Sequence, residues 1–212
     1  MEPTARLYDR WPSTGDKPLL NLHALIPSSR VNGPGARLVV FFQGCLRNCP
    51  GCFNPETHAF RESLVCTVDE VFLKRLGECV EGITVSGGEP FMQPAGLKAL
   101  LKAAKERSLT TVVYTGFTYG EILEDARLNG CLGHIDVLVD GPFEREKKET
   151  TLLARGSTNQ AFHFLSPVYS IEDMYLPGRV EVSIGRDGVV TGTGFSSLSF
   201  ALDSLISEGG GG

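Results

Sequence analysis

Apolar residues recur along the chain in two alternating patterns. Short runs rich in Val, Ile and Phe, with little polar alternation, are typical of strands buried on both faces of a parallel sheet. Four such runs stand at residues 37–42, 82–86, 109–116 and 134–141. Segments with apolar residues at helical spacing lie between them, at residues 67–80, 94–108 and 118–130. This alternation predicts a parallel sheet with right-handed crossovers.

Local signals mark where several of these elements begin and end. Thr67 and Glu70 have the spacing of a capping box at the start of the first helix, and Gly130 stands near the end of the third. Residues 161–166 fit a fifth strand. Four or five strands are too few for a closed eight-stranded barrel. The sequence therefore predicts an α/β fold with an open, partial parallel β/α barrel.

Different patterns flank this α/β region. Residues 19–27 are apolar and short, which predicts an edge strand ended by Pro27. Residues 179–195 form two alternating runs around Asp187 and Gly188, which predicts a β-hairpin that caps or extends the sheet. We expect an N-terminal arm with an edge strand, a core, a C-terminal hairpin extension and a tail with a flexible end, at residues 1–30, 31–165, 166–199 and 200–212.

Composition sets limits on compartment and partners. The 212 residues are 42% hydrophobic with a net charge of −5. One domain with a sizeable core is therefore expected, and a partner recognised through phosphates, such as nucleic acid, is disfavoured. No apolar run approaches the roughly 20 residues that cross a bilayer, and the N-terminus lacks the apolar segment of a signal peptide. We expect a cytoplasmic protein with reduced thiols.

Three of the six cysteines are crowded into one segment directly after the first buried strand. The loops after strands form the ligand-binding edge of a parallel α/β sheet, so Cys45, Cys49 and Cys52 stand where sites are built. Cysteine thiolates hold iron–sulfur clusters, usually four for a four-iron cluster. Three thiolates would leave one iron open to a small molecule. Gly44 and Gly51 permit the tight turns that such a loop needs.

A structural zinc site is the alternative for this loop. His58 lies six residues after Cys52 and would complete a site of three cysteines and one histidine. Zinc sites more often come as two separated ligand pairs, and the sequence has no second C-x2-C or H-x3-H pair. On this hypothesis the chain would be a non-enzymatic binding module stabilised by zinc.

The order of motifs around the cysteines resembles that of a known family. The C-x3-C-x2-C spacing is similar to the signature of radical S-adenosylmethionine enzymes. It stands in the ordered set VNGPGAR, GCLRNCPGCFN, SGGEP, YTGF, VDGPF and RGSTNQ, over roughly residues 31–163. This set resembles the activating proteins of anaerobic ribonucleotide reductase, and also those of other glycyl radical enzymes. Each motif alone is modest, but the ordered set is specific.

The resemblance implies cofactors, a reaction and partners. Cys45, Cys49 and Cys52 would be the metal ligands and catalytic residues that hold a [4Fe-4S] cluster, whose unique iron would bind the amino and carboxylate groups of S-adenosylmethionine. Reductive cleavage would give a 5′-deoxyadenosyl radical that takes a hydrogen atom. The implied partners are a large glycyl radical polypeptide of the anaerobic ribonucleotide reductase type and a reductant such as flavodoxin or ferredoxin.

The SGGEP motif would form part of the cofactor site in this scheme. Gly87 and Gly88 would let the backbone approach the ligand. Glu89 would offer a carboxylate to the ammonium group of the methionine part. The alternative is an ordinary strand-to-helix turn in which Pro90 starts the helix.

Three further residues are candidate cofactor contacts. Most relatives have an aromatic residue before the third cysteine, but Gly51 stands here, so Phe53 would contact adenine or else belong to the core. Thr115 ends the third strand and would line the pocket, unless it forms an ordinary turn. Asp140 ends the fourth strand and would bind either the ribose or a backbone amide.

The sequence leaves the substrate open. An arm of about thirty residues and a hairpin extension add to the minimal activase pattern. A radical enzyme that acts on a peptide, a small metabolite or an RNA base is therefore an alternative to the activase. The acidic charge balance weakens the RNA option.

Overall fold

A computed structural model of the chain shows a mixed α/β fold and describes residues 13–14, 17–75, 79–178, 180–184, 188 and 190–195. One eight-stranded sheet dominates it. Its strands are β1 Ser13–Thr14, β2 Lys17–Ser29, β3 Arg37–Phe42, β4 Leu64–Thr67, β5 Gly82–Gly87, β6 Thr110–Tyr114, β7 Val137–Asp140 and β8 Ala161–Phe164. The strand order is β1-β2-β3-β5-β6-β7-β8, with β4 paired to β2.

The four central strands are parallel, as the sequence pattern predicts. β3 pairs with β5, β5 with β6 and β6 with β7, each in parallel register. Parallel neighbours need crossover connections, which are usually helical. The helices in these connections are α1 Val68–Arg75, α2 Pro94–Glu106, α3 Tyr119–Glu124 and α4 Ala126–Asn129.

Side-chain caps fix the starts of three of these helices, α1, α3 and α4. Glu70 N donates to Thr67 Oγ1 at 3.2 Å and Thr67 N donates to Glu70 Oε2 at 2.9 Å, which confirms the predicted capping box. The prediction of one helix over residues 118–130 is wrong. Asp125 has an extended backbone between α3 and α4, and it accepts a hydrogen bond from Arg127 N at 2.9 Å, so it caps α4.

Antiparallel strands border the parallel centre. β8 occupies the position of the predicted fifth strand, but it pairs antiparallel with β7. The prediction that Pro27 ends a short edge strand is wrong, because β2 continues to Ser29 and Leu22 pairs on both sides, with β3 and β4. A register shift between Ile26 and Ser29 interrupts the ladder where proline has no N–H to donate.

Apolar clusters pack against both faces of the sheet. The cluster beneath the helices includes Leu38, Val40, Phe42, Ile83, Val85, Leu97, Leu101 and Val113. A smaller cluster on the other face includes Val112, Val137, Val139, Ala154 and Met174. Since successive side chains of a strand point to opposite faces, Phe41, Thr84 and Tyr114 lie on the face away from the helices.

The C-terminal region forms a separate two-stranded sheet. β9 Val180–Ile184 and β10 Val190–Gly194 pair antiparallel, where the alternating runs predict a hairpin. The predicted turn residue Asp187, residues 1–12 and 15–16 of the predicted arm, and the tail lie outside the described residues. The open partial barrel and the domain boundaries stay predictions. In the part of the chain that the structure describes, no helix is long and apolar enough to cross a membrane.

Candidate active site

A cavity of about 340 Å³ lies on the sheet face away from the helices, and the segments that follow β3, β5, β6 and β7 contribute to its wall. Ligand sites of parallel α/β sheets form at these carboxyl ends. The cavity brings together every predicted site residue except Asp140, namely Cys45, Cys49, Cys52, Phe53, Gly87, Gly88, Glu89 and Thr115.

Backbone hydrogen bonds fold the cysteine loop back on the chain that follows it. Gly44 N donates to Thr57 O at 2.7 Å, and Cys45 N donates to His58 O at 3.1 Å. Gly44 has a φ of 99° and Gly51 a φ of 73°, which are conformations that favour glycine. The predicted tight turns are therefore present, and local chain geometry carries the three thiols to one cavity.

The three thiols are half-buried and outside any disulfide. Burial raises the pKa of Cys45 to about 11, and the charge of nearby Glu89 adds to the effect. Burial also raises the pKa of Cys52. Since the thiolate is the form that binds metal, metal binding by these cysteines releases protons. A donor set of thiolates alone suits an iron–sulfur cluster.

The surroundings of His58 bear on the zinc alternative. Within the described ranges, no three Cys, His, Asp or Glu side chains are placed to hold a single metal ion. His58 Nδ1 lies instead 2.9 Å from Asn48 Oδ1. The site of three cysteines and His58 that the zinc alternative requires is therefore not assembled among the described residues.

The SGGEP segment is seated directly on the cysteine loop. Gly88 N donates to Phe42 O at 2.8 Å, and Glu89 N donates to Gly44 O at 2.9 Å. A Cβ at Gly87 would lie 2.5 Å from Phe42 N, and one at Gly88 would lie 2.4 Å from Gly44 O. The glycines are thus required by contact with the protein's own backbone, besides their place on the cavity wall.

Pro90 does not start the helix that follows SGGEP. Pro90–Met92 form a separate 3-10 turn, and α2 begins at Pro94. The ordinary strand-to-helix turn considered for this motif is therefore not what the chain adopts. The extra turn leaves Glu89 on the wall of the cavity.

Glu89 is the most constrained predicted residue. It is 1% exposed, and burial raises the pKa of its carboxyl group. Oε1 accepts hydrogen bonds from Thr115 Oγ1 at 2.7 Å and from Phe91 N at 3.1 Å, and Oε2 accepts one from Gly116 N at 2.7 Å. Glu89 thereby joins the SGGEP turn to the turn that follows β6, a cross-link that the sequence did not reveal.

Phe53 lies half-buried on the cavity wall. Its ring packs against Phe143, with centroids 5.0 Å apart and planes tilted by 55°. The ammonium group of Lys148 lies 5.5 Å from the Phe53 centroid. The pair of rings gives the cavity one aromatic wall, of the kind that base stacking requires.

The structure does not bring Asp140 to the cavity. Its Oδ2 accepts a hydrogen bond from Tyr119 N at 2.6 Å, and its Oδ1 lies 3.2 Å from His163 Nε2. The sequence left two roles for Asp140, binding the ribose or binding a backbone amide. In the structure its carboxylate binds a backbone amide. The reason is that β8 and the start of α3 meet at the end of β7 and surround this side chain.

Comparisons with known proteins bear on this cavity. Residues 31–163 match the family model described as a 4Fe-4S single cluster domain. The anaerobic ribonucleoside-triphosphate reductase-activating protein of Vibrio cholerae is 34% identical over 159 residues, which cover 68% of this chain and 97% of that relative. The Escherichia coli K12 protein of the same name is 32% identical over 161 residues, with 69% and 99% covered. The corresponding protein of phage T4 is 32% identical over 150 residues, with 66% and 92% covered.

The chain belongs to this family of radical S-adenosylmethionine activating proteins. Members are enzymes whose cofactors are a [4Fe-4S] cluster and S-adenosylmethionine. The family match begins with the turn before β3 and ends at residue 163, within β8. The C-terminal hairpin of this radical S-adenosylmethionine protein therefore lies beyond the matched region.

The sequence patterns did not identify several residues that line the cavity of this activating protein. Thr84 lines the cavity from within β5 and Tyr114 from the end of β6. The alternation of both residues with core residues would have placed them on the cavity side of the sheet. Arg47, inside the cysteine loop, lies 4.4 Å from the ring centroid of Phe117. Gln160 donates to Gly141 O at 2.9 Å and so joins two loops at the rim. No local signal identifies Arg47, because its partner is distant in the chain. The bond from Gln160 to Gly141 is equally non-local, although Gln160 also accepts from the nearby Gly156 N and Ser157 N.

Proposed function

We propose that this enzyme activates a glycyl radical enzyme of the anaerobic ribonucleotide reductase type, by taking a hydrogen atom from a glycine of that polypeptide. The observation that carries the proposal is the meeting of three half-buried thiols and the SGGEP turn on one cavity. The names of the relatives support the partner. The partial barrel stays part of the proposal, since a protein substrate needs a lateral opening.

In this proposal Cys45, Cys49 and Cys52 hold the [4Fe-4S] cluster. When bound, the cluster and S-adenosylmethionine supply reductive cleavage to a 5′-deoxyadenosyl radical that abstracts hydrogen. Among the described residues, three cysteines and no fourth line the cavity, which would leave one coordination position for the ligand. Half-burial of the thiols limits the access of water.

Other cavity residues match parts of S-adenosylmethionine by their chemistry. A carboxylate has about four acceptor positions, and Glu89 uses three of them. The remaining capacity and the negative charge suit an ammonium group. Phe53 with Phe143 suits the adenine ring, and Thr115 acts by holding Glu89. Gly87 and Gly88 have no side chain, so their backbone atoms form part of the cavity wall.

The remaining partners follow from the reaction. A one-electron reductant such as flavodoxin or ferredoxin would feed the cluster, and both are proteins of the cytoplasm, where we place this enzyme. The net charge of −5 gives no reason to include nucleic acid among the partners.

The experiment mixes the anaerobically reconstituted enzyme, a reductant, S-adenosylmethionine and the anaerobic ribonucleotide reductase of the same organism. Electron paramagnetic resonance should show a glycine-centred radical on the reductase. A control lacks S-adenosylmethionine. If no such radical forms and S-adenosylmethionine cleavage instead modifies a small molecule, the enzyme belongs to another radical class and the activase proposal fails.

A further inference from the structure

The C-terminal hairpin supplies one wall of the cavity. Gly192, Thr193, Gly194 and Phe195 line it together with the thiols and the strand floor. Gly192 and Gly194 have no side chain, so they line the cavity only through backbone atoms. The backbone of β10, bare at two glycines, is therefore part of the wall.

One edge of β10 has no strand partner in the described ranges. β9 pairs along the other edge, over all five residues of Val190–Gly194, and the two strands form a sheet of only two. An unpaired edge presents N–H and C=O groups that can pair with an added strand. Gly192 and Gly194 carry no side chain that would keep a second backbone away.

The hairpin is fixed to the turn before β3 and to β6. Asn32 Nδ2 donates to Thr193 Oγ1 at 2.8 Å, and Arg30 N donates to a carboxylate oxygen of Glu181 at 3.2 Å. The ring of Phe195 packs on Tyr114, with centroids 5.6 Å apart. These contacts hold the bare strand edge beside the site, so it is pre-organised for a ligand.

We propose that the unpaired edge of β10 binds an extended segment of the polypeptide substrate by β-strand addition. The inference rests on the proposed function, because a polypeptide is the substrate class that offers a main chain to pair. Main-chain pairing accepts many side chains and turns alternate residues toward the cavity. Such pairing would place one glycine of the substrate polypeptide at the end of the cavity where the thiols lie.

Hydrogen exchange on the anaerobic holoenzyme tests the contact without any turnover. The probes are short synthetic peptides, each centred on a glycine of the anaerobic ribonucleotide reductase of the same organism. The binding peptide should slow amide exchange within residues 190–194. Backbone N-methylation of the peptide should abolish binding at every second position and leave binding intact at the positions between. The reason is that only alternate N–H groups of the peptide face the β10 edge.

A matched pair of variants tests the edge in the enzyme. Gly192→Val adds a branched side chain on the cavity wall, whereas Thr191→Val exchanges one branched side chain for another of the same size, one residue away and outside the cavity. Gly192→Val should weaken peptide binding about tenfold or more. That loss should exceed any loss in peptide-independent S-adenosylmethionine cleavage, and Thr191→Val should bind peptide like the parent.

Several outcomes would overturn the inference. If the peptide binds without slowing amide exchange in residues 190–194, the substrate binds elsewhere. The same conclusion follows if N-methylation has the same effect at every position of the peptide. Protection that appears without peptide and grows with protein concentration means that a second copy of this chain pairs with the edge. A reductase radical that forms normally with Gly192→Val leaves the proposed function intact and removes the role of β10.

Discussion

The two ends of the parallel sheet use buried charge in different ways. At the amino ends, Arg37 is fully buried and donates to six oxygens of uncharged groups, contributed by Pro34, Ile83, Thr84, Thr110 and Tyr169. A guanidinium has five N–H donors, so its capacity is used up. At the carboxyl ends, Glu89 keeps an acceptor position and faces a cavity.

This difference separates a structural charge from a functional one. Burial lowers the pKa of Arg37 and raises that of Glu89, so both charges are costly to the fold. The hydrogen bonds of Arg37 offset this cost by joining β3, β5 and β6. Glu89 joins two turns and keeps one acceptor position for a ligand. Substitutions at the two ends should therefore damage different properties.

The largest expected effect is at the thiol end. Cys49→Ala should abolish cluster binding and S-adenosylmethionine cleavage, because two thiolates cannot replace three. Iron should fall from about four per chain toward zero after anaerobic reconstitution. Cys79→Ala, at an exposed cysteine outside the cavity, is the control and should keep its iron. Full cleavage activity in Cys49→Ala would contradict the site assignment.

The next effect is at the opposite end and concerns stability. Arg37→Leu leaves several buried oxygens without a donor, so the free energy of unfolding should fall by about 3 kcal/mol or more. Urea unfolding of the apoprotein measures it, with Arg30→Leu at an exposed arginine as the control. The folded fraction of Arg37→Leu should still bind iron. Loss of cluster binding at unchanged stability would assign Arg37 to the site.

A smaller effect is expected when Glu89 becomes Gln. The amide would point an N–H₂ group at one of the donors that Glu89 now accepts from, and would remove the charge. We expect a loss of about 1.5–3 kcal/mol of stability, together with weaker S-adenosylmethionine binding by calorimetry. Glu56→Gln is the control, because Glu56 lines the same cavity but is exposed. Equal effects of the two substitutions would show that charge alone matters.

The smallest effect concerns pH. Burial would raise the pKa of Glu149, but hydrogen bonds from Thr151 and Arg155 outweigh it and lower the pKa from 4.5 to about 2. Its stabilising contribution is therefore complete above about pH 4.5 and disappears as the pH falls toward 2. Glu149→Gln should cost about 1.5 kcal/mol at pH 7.

Urea unfolding between pH 7 and mild acid should show that this cost shrinks below about pH 4.5. The exposed Glu62→Gln provides the control, and its stability difference should stay small and constant. A difference for Glu149→Gln that does not change with pH would contradict the lowered pKa.

Prediction from sequence succeeded where a signal is local. The period of apolar residues placed four parallel strands, and Thr67 with Glu70 placed the start of α1. It failed where a competing contact decides. Asp125 interrupts the third helix because its side chain caps the next one. Pro27 stays within β2 because a register shift accommodates it.

The sequence by itself determined that three thiols follow a buried strand and that SGGEP follows the next parallel one. Both depend on short-range periodicity and on glycine positions, which act within a few residues. Tertiary structure alone decided that Asp140 turns to Tyr119, that Glu89 joins two turns, and that β10 closes a wall of the cavity. Those outcomes depend on which distant segments meet, and no local pattern encodes such meetings.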